Sequence, residues 1–312
     1  MQSRILLLFL VFFLGCKQKT KVEKKIHNQY ITVLGTVQDA GYPQIGCKKD
    51  CCINFYNGKN QKHHVVSLGL IDRESKQKWL FEATPDITTQ LNNLEETHLK
   101  NANIIDGIFL THAHIGHYTG LMYFGREALG KKETLVYAMP KMKHFLTENA
   151  PWSQLVQLKN IVLKDLENNK VIQLTSAIKV TPFLVPHRDE FSETVGYKME
   201  GQNKSILFIP DINKWHKWEK NIVEEVKKVD YAFLDATFLK DGEINRPMSL
   251  IPHPFITETI ALFKNESLAT KNKVIFIHFN HTNPTLQQVS KERNQIEELG
   301  FQFAFEGMRI GL

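Results

Sequence analysis

Thr111-His112-Ala113-His114-Ile115-Gly116-His117 is the stretch on which the fold and chemistry of this chain turn. It follows directly on Gly107-Ile108-Phe109-Leu110, a short apolar run that reads as a strand. Alternate residues of an extended segment face the same side, so the imidazoles of His112 and His114 can converge on one cation. His117 comes three residues later, at the start of an expected helix over Thr119–Leu129, and the turn brings it to the same place. Neutral imidazole is the commonest transition-metal ligand. Three histidines within six residues at a strand-to-helix turn therefore read as the core of a metal site. The alternative, a polar loop with incidental histidines, leaves this concentration of a rare residue unexplained.

The same pattern recurs outward from this stretch. His187 lies in Val185-Pro186-His187, just past an expected strand Ile178–Phe183. Asp211 ends the apolar run Phe208-Ile209-Pro210-Asp211, and His278 ends the expected strand Val274–Ile277. Taken singly, each reads more simply as a capped or hydrogen-bonded surface residue. Together they place ligand-type side chains after strands, where loops emerge from a scaffold and sites are built. Further strands are expected at Tyr30–Leu34, Val65–Ile71, Trp79–Phe81, Thr134–Ala138, Thr194–Met199, Ser205–Ile209 and Tyr231–Leu234, all rich in β-branched or aromatic residues. Apolar residues at three- and four-residue spacing predict helices over Asp86–Leu94, Lys141–Asn149, Lys214–Lys227, Thr257–Phe263 and Leu286–Leu299, besides Thr119–Leu129. Many strands and about half a dozen helices imply an α/β fold of sheet layers covered by helices. No Pro/Gly-rich linker interrupts residues 30–312, which read as one domain.

Composition agrees with such a fold. The chain has 312 residues, 42% hydrophobic and 23% charged, enough to bury a large core. A net charge of +6, without a basic stripe, favours anionic small molecules or surfaces and gives no nucleic-acid footprint. At the N-terminus Arg4 precedes the apolar run Ile5–Leu14, too short for a bilayer span and suited to a signal peptide over residues 1–15. Gly15-Cys16 then resembles a bacterial lipobox, with Phe13 where leucine is usual, which implies lipidation at Cys16. The lysine-rich residues 16–29 read as a tether, and the expected location is the cell envelope, membrane-anchored or, if Cys16 is incidental, secreted or periplasmic. Cys47, Cys51 and Cys52 fall within six residues, an awkward disulfide framework and a better metal clasp. A disulfide in an oxidising envelope and free buried thiols are the alternatives.

The order His-x-His-x-x-His (112, 114, 117), His187, Asp211, His278 resembles the metallo-β-lactamase superfamily over almost all of residues 30–312. That resemblance implies an αββα sandwich with one or two catalytic metal ions, zinc first, with manganese and iron as alternatives. It implies a first metal held by His112, His114 and His187, a second held by His117 and His278, and Asp211 between them. The family motif is H-x-H-x-D-H, and Gly116 stands where the aspartate belongs. Glycine brings no donor atom, so the expectation is a firm first site and a weakened, altered or absent second one, with a water in the vacancy.

Finer strings point to one branch. Leu34-Gly35-Thr36, Asp39-Ala40-Gly41-Tyr42-Pro43-Gln44, Ala83-Thr84-Pro85-Asp86, Ser192-Glu193-Thr194-Val195-Gly196-Tyr197, Asp235-Ala236-Thr237-Phe238 and His278-Phe279-Asn280-His281-Thr282-Asn283-Pro284 resemble the pyrroloquinoline quinone biosynthesis B family. The chain is also similar to the phosphonate-pathway cyclic phosphodiesterases. Members of the B family typically have changed residues in the H-x-H segment, whereas this chain keeps His112 and His114, so kinship need not mean a role in quinone synthesis. The phosphodiesterase resemblance implies a structural zinc on Cys47, Cys51, Cys52 and His281, although C-x-x-x-C-C departs from that family's C-x-C-x-x-C. It also implies that His253, in Ile251-Pro252-His253-Pro254, assists the leaving group or contacts substrate.

The expected chemistry is hydrolysis of a phosphodiester or another small ester, since bound metal lowers the pKa of its water from about 15.7 to about 7. Asp211 would orient the resulting hydroxide. Asp235, beside a strand end, would accept from a ligand histidine or else cap a turn. Asp86 and Asp39 are candidates for outer support, with a turn role favoured for Asp39, and His63 and His64 read as surface residues. A redox or oxygen-using metalloenzyme and a metal-dependent binding protein without turnover are the competing readings.

Overall fold

A computed structural model describes residues 27–101, 103–245, 247 and 250–312. The expected signal peptide, Cys16 and most of the expected tether lie outside these residues. Among the described residues no helix is long and apolar enough to cross a membrane.

Side-chain alternation along the early strands sorts the molecule into layers. In β1 (Gln29–Gly35), Ile31 and Val33 join the large core while Tyr30 and Leu34 join a second cluster. The division continues through β2 (Ser67–Asp72), β3 (Gln77–Phe81) and β4 (Gly107–Phe109), with Trp79, Phe81 and Phe109 on one face and Leu80 and Ile108 on the other. β5 (Thr134–Ala138) and β6 (Ile161–Asp165) complete this sheet. The second sheet contains β7 (Ile172–Gln173), β8 (Lys179–Leu184), β9 (Val195–Glu200), β10 (Ser205–Ile209), β11 (Tyr231–Asp235), β12 (Val274–Ile277) and β13 (Gln302–Phe303). The last strand, β14 (Arg309–Gly311), crosses back to pair with β1. Among the described residues there are thus two seven-stranded sheets, ordered β14-β1-β2-β3-β4-β5-β6 and β13-β12-β11-β10-β9-β8-β7.

Each sheet is an antiparallel meander that becomes parallel: from β3 to β6 in the first and from β10 to β13 in the second. Parallel strands need crossovers, and helices supply them. The helices are α1 (Asp50–Tyr56), α2 (Ile87–Asn93), α3 (Ile115–Tyr118), α4 (Pro140–Glu148), α5 (Trp152–Gln157), α6 (Ile222–Lys227), α7 (Ile256–Leu262), α8 (Leu268–Lys271) and α9 (Lys291–Glu298). Ile87, Leu91, Met142 and Leu155 from α2, α4 and α5 cover the first sheet, while Ile222, Val226, Ile256 and Ile296 from α6, α7 and α9 join the core built on the second. This is the αββα sandwich, in one domain.

Three expected helices are shorter than their periodicity implied. Thr119–Leu129 is a 3-10 turn, Thr119–Phe124, that stops where Gly125 turns extended, and the regular helix of this segment is α3, which already contains His117. Lys214–Lys227 splits because Trp215 and Trp218 both enter the core and Asn221 starts α6 afresh, capping Val223 and Glu224 through its side chain. Ser290 likewise caps α9 and delays its start to Lys291.

Between the sheets, close to the rim, lies an aromatic cluster. Phe109 stacks on Phe81 at 4.9 Å and on Tyr137 at 4.3 Å, and Tyr197 of the second sheet meets both phenylalanines edge-on. Such pairs contribute about 0.5–1.5 kcal/mol each beyond burial. The Tyr197 hydroxyl donates to the carbonyl of Leu110, one residue before Thr111-His112. The core thereby fixes where the histidine segment leaves the scaffold.

Candidate metal centre

The ends of six strands meet at one rim. β4 leads into His112 and His114, β8 into His187 and β10 into Asp211. Asp235 ends β11, His278 follows β12, and Glu82 follows β3. His112 Nε2 lies 2.7 Å from His114 Nδ1 and 3.3 Å from Asp211 Oδ2. His187 Nε2 lies 3.2 Å from Asp211 Oδ1, and His114 Nδ1 lies 3.9 Å from Asp211 Oδ2. The donor atoms of His112, His114, His187 and Asp211 all fall within 4.8 Å of one another, as a single cation requires. Neighbours hold this arrangement. Thr111 Oγ1 is 2.9 Å from His112 Nδ1, Ala113 N donates to Ser192 Oγ at 2.8 Å, and Val195 N donates to the Thr111 carbonyl at 3.2 Å.

His117 and His278 form the second half. Each places Nε2 3.9 Å from Asp211 Oδ2. His117 Nδ1 lies 3.2 Å from Glu82 Oε1, and His278 Nδ1 lies 2.9 Å from Thr237 Oγ1. Thr237 gives its single hydroxyl proton to Asp235 Oδ1 at 2.7 Å, so it accepts from His278, whose proton then sits on Nδ1 and whose Nε2 lone pair faces the site. Glu82 and His278 adopt left-handed backbone, φ 76° and 69°, and both are buried, whereas the four other non-glycine residues with positive φ among the described residues are exposed. Such conformations persist where surrounding structure over-determines them, and they cluster at functional sites.

The vacancy expected at Gly116 is not there. A Cβ built on Gly116 would lie 2.2 Å from Asp39 Oδ1 and 2.6 Å from Asp39 Cα. Asp39, which the sequence favoured as a turn residue, puts Oδ1 3.0 Å from His117 Nε2. Asp39, His117 and His278 form a third convergent set of donors. Asp86, the other acid considered for outer support, is used elsewhere: it pairs with Lys62 at 2.7 Å and accepts from Val65 N at 2.9 Å.

Asp235 and His253 complete the floor. Asp235 Oδ1 accepts from Thr237 N and Oγ1, and Oδ2 accepts from Ile212 N at 3.2 Å and His253 Nδ1 at 2.8 Å. It therefore caps a turn and orients a histidine at once, reaching His278 through Thr237 rather than directly. His253 Nδ1 is also 3.0 Å from Asp211 Oδ1, so this loop histidine is built into the centre. Thr111, Glu82 and Thr237 are the functional neighbours that the sequence did not single out, and Asp39, expected at most as outer support, faces His117 directly. A glycine in the aspartate position, paired with an acid in the loop after β1, was the one available signal for Asp39.

Charge explains why a cation belongs here. Among the described residues no Lys or Arg pairs with Asp39, Glu82, Asp211 or Asp235. Burial raises the Asp211 carboxyl, but His187, His253 and His278 outweigh it and hold the group well below the usual range. Burial likewise opposes ionisation of Asp39, and His117 overcomes it. Burial favours neutral His253, yet Asp235 and Asp211 raise its pKa to about 10. Burial drives His112 well below its usual value and lowers His278, whereas Glu82 and Asp39 reverse the effect of burial on His117 and hold it well above. Protons partly balance these carboxylates, and a metal ion would displace them. Asp39 Oδ1, Asp211 Oδ1, both nitrogens of His117 and His187, and His278 Nε2 are buried without a hydrogen-bond partner. Orphaned, convergent N and O donors fit zinc, and they suit manganese or iron as well.

A separate cluster lies at α1. Cys51 and Cys52 are in the first turn of α1, and Cys47 Sγ is 3.8 Å from Cys51 Sγ. All three cysteines are free, and with His281 their donor atoms lie within 4.8 Å of one another. His281 Nδ1 lies 3.2 Å from Asn280 Oδ1, leaving Nε2 as the available donor. Burial and neighbouring sulfurs push the Cys51 thiol up to about 12, which disfavours a bare thiolate there and favours one shared with a cation.

An αββα sandwich with a histidine–carboxylate centre at the rim defines a class of metal-binding protein. The family model described as Beta-lactamase superfamily domain matches residues 77–279, and the chain belongs to that superfamily. In sequence it is similar to the Coenzyme PQQ synthesis protein B of Acinetobacter baylyi, 24% identical over 305 residues, covering 90% of this chain and 99% of that one. The protein of the same name from Nitrosococcus oceani is 26% identical over 312 residues, covering 90% of this chain and 99% of that one. Among solved structures, Zn(2+)-bound PqqB from Methylobacterium extorquens superposes with a TM-score of 0.74 at 21% identity, covering 91% of this chain and all of that one. A diphosphatase from the PhnP family gives a TM-score of 0.61 at 22% identity, covering 90% and 96%.

Proposed function

We propose that the chain is a metal-dependent hydrolase acting on a phosphodiester or another small anionic ester. The observation that carries this reading is the convergence of His112, His114, His187 and Asp211, a complete donor set for a hydrolytic metal. A divalent ion held there supplies Lewis-acid polarisation of the scissile oxygen and, for zinc, a water of pKa about 7. The protein's own groups do the rest. Asp211 presents its oxygens to both histidine sets and is positioned to hold the attacking water. Thr237 fixes the proton of His278 on Nδ1, while Glu82 and Thr111 lie against Nδ1 of His117 and of His112. With Nδ1 of His253 donated to carboxylate, Nε2 is the nitrogen left to give a proton to a departing oxygen. Arg188 beside His187 and the net charge of +6 favour an anionic substrate.

The test is turnover of bis-p-nitrophenyl phosphate by zinc- or manganese-loaded protein. Activity lost in His114→Ala supports the reading. A fully loaded but inert protein across a broad ester panel would overturn it and favour a binding role. Kinship with Coenzyme PQQ synthesis protein B supports a second reading, oxygen-using chemistry on a quinone precursor. Iron in the purified protein, with oxygen uptake, would select it. We also propose anchoring to the envelope through Cys16. Mass spectrometry of the mature N-terminus would reveal the lipid, and an unmodified cysteine would exclude it.

A further inference from the structure

We propose that Asp39 is the acidic ligand of the second metal position, replacing across space the aspartate that Gly116 lacks. The proposal rests on the two-metal reading of the rim. Gly116 is absent from the glycines with positive φ, so its backbone does not demand glycine. Space does. A Cβ there would meet the Asp39 carboxylate at 2.2 Å and the Asp39 backbone at 2.6 Å, and no side chain fits while the loop after β1 keeps its place. That loop is tied to the segment carrying His278. Gln38 N donates to the Phe279 carbonyl at 2.9 Å, Phe279 N donates to the Thr36 carbonyl at 2.9 Å, and Val37 bridges both Val65 and Phe279.

Asp39 Oδ1, His117 Nε2 and His278 Nε2 are three buried donor atoms, and each lacks a hydrogen bond. Asp39 Oδ1 and His117 Nε2 approach to 3.0 Å without hydrogen-bond geometry. A buried carboxylate is costly unless a cation compensates it. Thr237 directs the Nε2 lone pair of His278 toward this point, and Glu82 Oε1 lies 3.2 Å from His117 on its other side, against Nδ1. The glycine and the aspartate therefore act as a linked exchange: the ligand has moved from the histidine segment to a loop about 75 residues earlier in the chain.

Zinc binding to the folded full-length protein tests this, read by metal analysis after gel filtration and by competition with a chromophoric chelator. Asp39→Asn keeps the shape and removes the charge. The expected result is loss of one zinc equivalent, or weakening of that equivalent by more than the roughly 10–100-fold that losing an outer partner costs. His114→Ala should weaken the other equivalent. Paired Asp39→Gly with Gly116→Asp should restore the wild-type zinc content, and it serves as the check if Asp39→Asn folds poorly. Zinc content and affinities in Asp39→Asn identical to those of the wild type would overturn the assignment of Asp39 alone. A wild-type rim that binds one zinc, with content indifferent to His117→Ala, would overturn the two-metal reading and the proposal with it. Cobalt substitution gives an independent readout: the visible band of the second ion should shift in Asp39→Asn and return in the paired exchange.

Discussion

His253 Nδ1 lies between Asp235 and Asp211, so a mutation there should separate binding from proton transfer. General-acid assistance contributes typically about 10²–10⁴-fold. His253→Ala should therefore slow esters with alkoxide leaving groups by that order. Esters of p-nitrophenol, which need little protonation, should be affected much less at unchanged zinc content. Steady-state kinetics over a leaving-group series checks this, and equal losses across the series would remove His253 from that role. At this scale much of the centre is legible in the amino-acid sequence. His112, His114, His187, Asp211 and His278 announce themselves because ligand chemistry needs particular residue types at strand ends. Asp39 does not. Its partners are His117 and His278, and only tertiary contact shows that a loop aspartate occupies the volume above Gly116. Glu82 is equally silent, because a glutamate after a strand looks like any solvated acid until burial is known.

Among the elements, Tyr197 of β9 is a tie between sheets. Its hydroxyl donates to the Leu110 carbonyl at the mouth of the histidine segment. Tyr197→Phe leaves that carbonyl without its partner and should cost about 1–3 kcal/mol. Urea unfolding measures the loss, and it should be accompanied by weaker zinc binding at the His112 set. A second expectation belongs to α1. If Cys47, Cys51, Cys52 and His281 hold a structural zinc, Cys51→Ala should release one zinc equivalent and lower the melting temperature. Unaltered zinc content in that variant would show that the thiols hold none. The expected strands at Thr134–Ala138, Ser205–Ile209 and Val274–Ile277 coincide with β5, β10 and β12 because dense apolar runs declare themselves. β6, β7, β13 and β14 escaped. β6 is a half-exposed edge strand with mixed polarity, and the others are two or three residues long, so a neighbouring strand rather than their own composition makes them strands.

For the molecule as a whole, acid tolerance should depend on a histidine far from the centre. His98 is buried beneath β1, 3.1 Å from the Tyr30 hydroxyl, and burial, aided by Arg309 and Arg73, lowers its pKa from 6.5 to about 4. The unfolded chain then takes up a proton at higher pH than the folded one. The contribution is complete above the unfolded value, declines as pH falls from 6.5 toward about 4, and is gone below that. His98→Phe should flatten this part of the stability profile, measured as urea midpoints at pH 7 and pH 5. Parallel losses in both proteins would show that other groups govern acid unfolding. The layered architecture followed from alternating strands and interspersed helices, but the return of β14 to β1 did not, because nothing local in Arg309-Ile310-Gly311 specifies its partner. That return has a consequence for biosynthesis. The outer border of the N-terminal sheet stays open on the ribosome until Arg309–Gly311 emerge, about 270 residues after β1, so nascent chains expose an unmated strand for most of that interval. A deletion of Arg309–Leu312 should yield aggregates rather than a slightly weakened protein.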